Sequence, residues 1–101
     1  MSGGDPNLCG MEEPVRKRLI VRGDVQGVFF RDTARRRAAE LGVGGWIRNR
    51  PDGAVEAVVE GDPDAVGAMV RFCHEGPDRA RVDRVEEEDE PVEGVDGFDV
   101  R

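Results

Sequence analysis

Hydrophobic and polar positions divide the chain into short strands and helices. The first strand is predicted over Val15–Arg22, where aliphatic residues lie between charged ones. Apolar residues at helical spacing then predict a helix over Phe30–Leu41, with Gly42 as its C-cap. Two further strands, Gly45–Asn49 and Ala54–Glu60, are joined by the turn sequence Arg-Pro-Asp-Gly, which favours a hairpin.

The second half of the chain predicts another helix and another strand. The helix begins after Asp62, a residue suited to capping, and ends at Gly76. The strand covers Ala80–Glu87. Two of its valines, Val82 and Val85, are separated by an odd number of positions, which predicts a bulge between them if both face the core.

A short last strand containing Phe98 and Val100 completes the order of elements. This order, βαββαβ with one added strand, predicts an α+β sandwich of the ferredoxin-like type. Its sheet is mainly antiparallel, with both helices on one face. Residues 1–13 are rich in Gly, Pro, Asn and acidic residues and show no periodicity. We therefore expect a disordered N-terminal tail over 1–13 and a single domain over 14–101.

Charge is distributed unevenly along the chain. The net charge is −7, yet residues 15–50 carry +7 and residues 51–101 carry −11. The basic stretch favours a small anionic ligand, whereas the acidic remainder repels polyanions such as nucleic acid. No apolar run approaches the length needed to cross a bilayer. We therefore expect a small-molecule ligand and neither a nucleic-acid nor a membrane partner.

Cysteines and acidic residues give no sign of a metal site. Cys9 and Cys73 are too few and too far apart for a metal knuckle or a redox pair, and Cys73 is predicted to be buried on the second helix. The acidic run Glu86–Glu90 is predicted to be a solvated sheet edge, because neighbouring strand residues alternate between faces. Met1–Glu13 lacks the pattern of a signal peptide. We expect a cytoplasmic monomer without metal or cofactor.

The loop between the first strand and the first helix has the composition of an anion site. Gly23–Arg31 reads Gly-Asp-Val-Gln-Gly-Val-Phe-Phe-Arg. Its glycines allow backbone N–H groups to turn inward, and the positive end of the next helix points at the same place. Arg31 adds a planar guanidinium suited to a phosphoryl group. The alternative is a surface Arg31 paired with Asp24 or Asp32. Asp24 itself either faces outward and weakens phosphate binding, or pairs with Arg22.

Separated motifs from about Val15 to Arg101 occur in the order and spacing of a known family. They are Val25–Arg31, Gly45–Asn49, Asp52–Glu56, Glu60–Gly61 and Gly76–Pro77, followed by Ala80, Val82 and Val85–Glu86. Together they resemble the acylphosphatase family. The resemblance covers nearly all of the chain beyond the predicted tail.

The resemblance implies an active site of one loop and two side chains. The residues that match the family's phosphate-binding loop and its two catalytic positions are Val25, Gln26, Gly27, Val28, Arg31 and Asn49. Arg31 would bind the phosphate together with the loop amides, and Asn49 would position the attacking water. The implied activity is acylphosphatase: an acyl phosphate and water give a carboxylate and inorganic phosphate, with no metal or cofactor.

Two other functions remain open at this point. One is a non-catalytic module of the same fold that binds a phosphate-bearing ligand or a protein, although such a module would be expected to lose Arg31 or Asn49. The other is an RNA-binding sheet, which needs exposed aromatic residues on its central strands for base stacking. The aromatic residues of this chain form no such set. Trp46 and His74, the last near a helix end, are expected to have structural roles.

Overall fold

The computed structural model describes residues 13–101, so the predicted tail, apart from Glu13, lies outside the described residues. The elements are β1 (Val15–Asp24), α1 (Phe30–Leu41), β2 (Gly44–Asn49), β3 (Val55–Gly61), α2 (Pro63–Glu75), β4 (Arg81–Glu90) and β5 (Phe98–Val100). Their order and type confirm the predicted arrangement. Both helices begin and end where the sequence signals place them, and the strand ends differ by a few residues.

The five strands form one sheet in the order β4-β1-β3-β2-β5. All pairs are antiparallel except β2 and β5, which run parallel. Both helices pack on one face of the sheet, which confirms the ferredoxin-like α+β sandwich. The fully buried side chains between the helices and the sheet include Leu19, Val21, Phe30, Ala34, Ala38, Ile47, Val55, Ala57, Val59, Val66, Met69 and Cys73.

A β-bulge lies in β4 between the two valines that predicted it. Arg22 pairs with Arg84 and Gly23 with Val82, so Asp83 has no partner on β1. Both valines of the prediction pack against the core. Gly23 has φ of 136°, and a Cβ at this position would collide with the backbone carbonyl of Arg81. Because a bulge increases the local twist, it redirects β1 where the chain enters the glycine-containing loop.

The face of the sheet away from the helices buries charged residues. Glu56 is only 3% exposed, and its carboxylate accepts hydrogen bonds from the guanidinium Nε of Arg18 at 2.6 Å and of Arg48 at 2.8 Å. Burial by itself would raise the pKa of Glu56, but the two arginines lower it below its usual range. The alternating pattern of β3 confirms Val55, Ala57 and Val59 on the core face.

Glu60, on the same face of β3, holds a loop in place. Its carboxylate accepts hydrogen bonds from the backbone N–H groups of Glu93, Gly94 and Val95 at 2.7–3.0 Å and from the guanidinium of Arg16 at 3.0 Å. Burial would raise the pKa of Glu60, but these donors outweigh it and lower the pKa to about 2. One buried carboxylate therefore fixes the segment that leads into β5.

Single side chains behave largely as the sequence predicts. Cys73 is buried, and burial raises the pKa of its thiol to about 12, which leaves it unreactive at neutral pH. His74, in the last turn of α2, places Nε2 2.7 Å from a carboxylate oxygen of Glu87. The run Glu86–Glu90 lies on the edge strand β4 and is exposed except at its last residue.

Within residues 13–101 no three potential metal-ligating side chains cluster, and no helix could cross a membrane.

The role of Glu60 predicts a specific acid sensitivity. Glu60→Gln should lower the free energy of unfolding by about 2–3 kcal/mol at neutral pH, because charge-assisted hydrogen bonds are lost from a buried group. Folding lowers the pKa of Glu60, so its contribution is complete above the unfolded value of 4.5 and is lost as the pH falls towards about 2. The difference between the two proteins in urea unfolding should therefore shrink over this range.

Glu88→Gln is the matched control for this measurement. Glu88 also pairs with an arginine, Arg18 at 3.5 Å, but it is 70% exposed. Its substitution should change the free energy of unfolding by less than about 0.5 kcal/mol. Equal effects of the two substitutions, or a Glu60 effect that is constant down to pH 2, would contradict the assigned role.

Candidate active site

The loop after β1, the start of α1 and the end of β2 surround one cavity of about 290 Å³. Its lining residues are Val25, Gly27, Phe29, Phe30, Arg31, Asp32, Asn49 and Val100. Arg31 lies in the first turn of α1, and Asn49 is the last residue of β2. The fold thus brings together two side chains that are 18 positions apart in the sequence.

The loop presents free backbone donors at this cavity. Within residues 13–101, the N–H groups of Val25, Gln26, Gly27 and Phe29 have no hydrogen-bond acceptor, and residues 26–27 form the turn between Val25 and Val28. Gly27 and Phe29 both have positive φ, of 76° and 61°. Phe29 is the N-cap of α1 and provides no side-chain cap, so the first N–H groups of the helix are left uncapped. Loop amides and a helix N-terminus that meet in this way form a cradle for an anion.

Arg31 is held by a backbone oxygen near the end of β5. Its Nη1 donates a hydrogen bond to the backbone oxygen of Arg101 at 3.0 Å. In the described part of the chain it pairs with neither Asp24 nor Asp32, so the structure does not contain the surface-pairing alternative. The remaining donors of the planar guanidinium are therefore available at the cavity.

Gln26 connects the loop to the strand that carries Asn49. Its Nε2 donates to the backbone oxygens of Arg50 and Ala54, each at 2.8 Å. The side chain of Gln26 thus points away from the cavity, and only its backbone N–H remains for an anion. Val28 likewise does not line the cavity, because it packs against the core. Of the predicted loop, Val25 and Gly27 line the cavity directly.

The turn that follows Asn49 is itself braced. Asp52 accepts a hydrogen bond from the backbone N–H of Ala54 at 3.1 Å and pairs with the guanidinium of Arg50 at 3.3 Å. The N–H of Ala54 and the guanidinium of Arg50 lower the pKa of Asp52 below its usual range. The backbone of Asn49 is fixed by its pairing with Val55. Its carboxamide makes no hydrogen bond within residues 13–101, so it is free to bind a small polar molecule such as water.

Several residues at the cavity were not predicted from the sequence. Phe29 offered a signal, since a large aromatic residue follows a glycine loop directly, but nothing in the sequence indicates that it is exposed. Val100 and Arg101 reach the site only because β5 pairs in parallel with β2, and no local pattern reports that pairing. Asp32 lines the cavity from the first turn of α1, where a negative charge favours the helix.

Known proteins are similar to this chain over most of its length. The acylphosphatase family model matches residues 17–100. An acylphosphatase of Rubrobacter xylanophilus is 58% identical over 96 residues, which cover 91% of this chain and 87% of that protein. Among solved structures, an acylphosphatase from Coxiella burnetii superposes with a TM-score of 0.83 at 39% identity, covering 87% of this chain and 93% of the other. The acylphosphatase of Bacillus subtilis gives 0.82 at 32% identity, covering 86% and 98%.

The family match, the relative and the two structures each span most of the chain, and all include the loop and the strand that form the cavity. The chain belongs to the acylphosphatase family.

Proposed function

We propose that this acylphosphatase binds the phosphoryl group of an acyl phosphate through Arg31 and the amides of residues 25–28, and that Asn49 positions the water that attacks it. One observation carries the proposal: within residues 13–101, loop N–H groups without an acceptor, a guanidinium that pairs with no side-chain carboxylate and a free carboxamide meet at the same cavity. The products are a carboxylate and inorganic phosphate.

The chemistry of the substrate explains why the loop amides, Arg31 and Asn49 suffice for catalysis. A carboxylate is a good leaving group that needs no proton at neutral pH, so the reaction requires no strong general acid. Catalysis then depends on holding the phosphoryl group and the water in line and on stabilising charge at the phosphoryl oxygens. Arg31 and the loop amides supply donors for those oxygens.

Asn49 contributes orientation rather than basicity. Its carboxamide oxygen can accept a hydrogen bond from the water, and its NH₂ group can donate to a phosphoryl oxygen. A neutral amide cannot remove the proton of the water, so that proton passes to an oxygen of the phosphate itself. The tie from Gln26 to the turn after Asn49 keeps the water-positioning strand and the phosphate loop in a fixed relation.

We also propose that the protein acts as a cytoplasmic monomer. Only Phe29 and Val92 are exposed large hydrophobic residues in the described part of the chain, so no extended apolar surface there calls for a partner. The edge strand β4 carries charged side chains, which discourage pairing between sheets.

The mechanism predicts selectivity for mixed anhydrides without a metal. An aromatic acyl phosphate should be hydrolysed, and an alkyl phosphate monoester should be left essentially intact, because neither the guanidinium of Arg31 nor the neutral amide of Asn49 can protonate an alkoxide. A chelator should leave the rate unchanged. Release of inorganic phosphate measures both properties. Comparable rates on the two substrates, or inhibition by the chelator, would contradict the mechanism.

Substitutions of Arg31 and Asn49 should change KM and kcat in different ways. Arg31→Ala should raise KM about ten- to a hundred-fold and also lower kcat, because the guanidinium contacts the phosphoryl group before and during reaction. Asn49→Ala should lower kcat on the order of a hundred-fold while inhibition by inorganic phosphate changes little, because only the water loses its position.

Arg35→Ala is the matched control for these variants, since Arg35 is exposed on the same helix and does not line the cavity. It should alter kcat and KM by less than about two-fold. Loss of phosphate inhibition in Asn49→Ala but not in Arg31→Ala would mean that the two roles are reversed.

The negative charge of Asp24 should weaken phosphate binding slightly. Its exposed carboxylate contacts no cation within residues 13–101, because Arg22 pairs instead with Glu86 at 2.8 Å. Two unit charges at 4 Å interact by about 1 kcal/mol in water. Asp24→Asn should therefore tighten inhibition by inorganic phosphate only about two- to five-fold, and the gain should decline with added salt. Unchanged or weaker inhibition of Asp24→Asn at every salt concentration would contradict this electrostatic effect of Asp24.

A further inference from the structure

Phe29 adopts a conformation and an environment that are both unfavourable for an aromatic residue. Its φ of 61° lies in the left-handed region, and it is the one non-glycine residue with positive φ among residues 13–101. Bulky side chains are true outliers there, and the conformation costs free energy. The side chain is also 71% exposed, the most exposed large hydrophobic residue of the described chain. The fold therefore tolerates this side chain without burying it.

The backbone of Phe29 has a structural role that does not require the aromatic ring. Its carbonyl accepts a hydrogen bond from the N–H of Thr33 at 3.0 Å and so starts α1. Glycine would take the same φ without strain and is an accepted N-cap. The ring provides no cap and is not part of the core. Neither helix initiation nor packing explains why an aromatic side chain occupies this position.

The place of the ring suggests what it binds. Phe29 lines the same cavity as Arg31 and Asn49. Further apolar residues of its wall are Val25, Phe30 and Val100. A phosphoryl group held by the loop amides and Arg31 leaves the remaining part of its substrate, the acyl group, to contact the other walls. An exposed aromatic face beside an anion cradle is suited to a flat or apolar group attached to that anion.

We propose that the ring of Phe29 is the binding surface for the acyl group and favours acyl phosphates with an aromatic or bulky apolar acyl group over those with a small one. The proposal rests on the function proposed above, since it names the substrate class of the same site. Phe29 is thus a specificity-determining residue for the reaction. The strained backbone carries the ring at the rim of the cavity, where a packed side chain could not reach the substrate.

This contact is made with a part of the substrate that does not react. It should therefore stabilise the bound substrate and the transition state about equally, so that its loss raises KM and leaves kcat nearly unchanged. A stacking contact together with its buried area corresponds to an effect of about ten-fold on binding. Inorganic phosphate, which has no acyl group, should bind unchanged.

The test compares benzoyl and acetyl phosphate as substrates and the two corresponding acylphosphonates as ligands, whose P–C bond is not hydrolysed. Phe29→Ala should raise KM for benzoyl phosphate about ten-fold and KM for acetyl phosphate less than two-fold. Calorimetry should give the same ratio for benzoylphosphonate and acetylphosphonate. Phe29→Trp should retain the preference for the aromatic ligand. Inhibition by inorganic phosphate should be the same in all variants.

Two controls separate recognition from structure. Val92→Ala removes the other exposed large hydrophobic residue, which does not line this cavity, and should leave both KM values unchanged. Phe29→Gly should keep or raise Tm because it relieves strain. A fall in Tm together with equal losses on both substrates would mean that the ring supports the loop, which overturns the proposal.

The outcomes also distinguish the two proposals. If the protein hydrolyses both acyl phosphates and Phe29→Ala changes neither the KM ratio nor the phosphonate ratio, the acyl-binding role fails and the proposed function stands. If neither acyl phosphate is hydrolysed but the phosphonate ratio depends on Phe29, the proposed function fails and the binding surface stands.

Discussion

The structure depends on the burial of two carboxylates in the central strand β3. A buried carboxylate costs a large desolvation free energy unless charged or polar donors surround it. Glu56 meets this constraint with two arginines from neighbouring strands, and Glu60 with Arg16 and three backbone N–H groups. The burial of Glu60 has the wider effect, because its backbone donors come from the loop between β4 and β5 and fix the path of that loop. The loop has few apolar residues of its own that could hold it in place.

From Glu60 a continuous set of contacts leads to the active site. The loop that it fixes packs tightly on Gly44, where a Cβ would collide with the backbone oxygen of Val95, and continues into β5. Pairing with β2 then brings Arg101 to the cavity, where its N–H donates to Ile47 O at 2.8 Å and its guanidinium stacks 4.6 Å from the ring of Trp46. The carbonyl of Arg101 in turn orients Arg31. Arg31 is thus positioned by a series of contacts that begins at Glu60 in the centre of the sheet.

Local patterns in the sequence were enough for most of the fold. The helix boundaries followed from Gly42, Asp62 and Gly76, and the bulge from the odd spacing of two valines, because caps and pleat periodicity are short-range properties. The loop glycines and Arg31 likewise predicted an anion site, and the structure brings Gly27 and Arg31 to one cavity. The parallel pairing of β5, the polar donors around Glu60 and the carbonyl that holds Arg31 could not be predicted, since each joins residues more than 30 positions apart.

The size of β5 has a consequence for the stability of the site. This strand has three residues, lies at the edge of the sheet and pairs on one side only. Short edge elements open locally at a lower free energy than central strands, so their amide hydrogens exchange before those of β1 and β3. Each such opening withdraws the carbonyl of Arg101 from Arg31 while the core stays folded. We therefore expect the position of Arg31 to depend on the least stable part of the sheet and to be lost in denaturant before global unfolding.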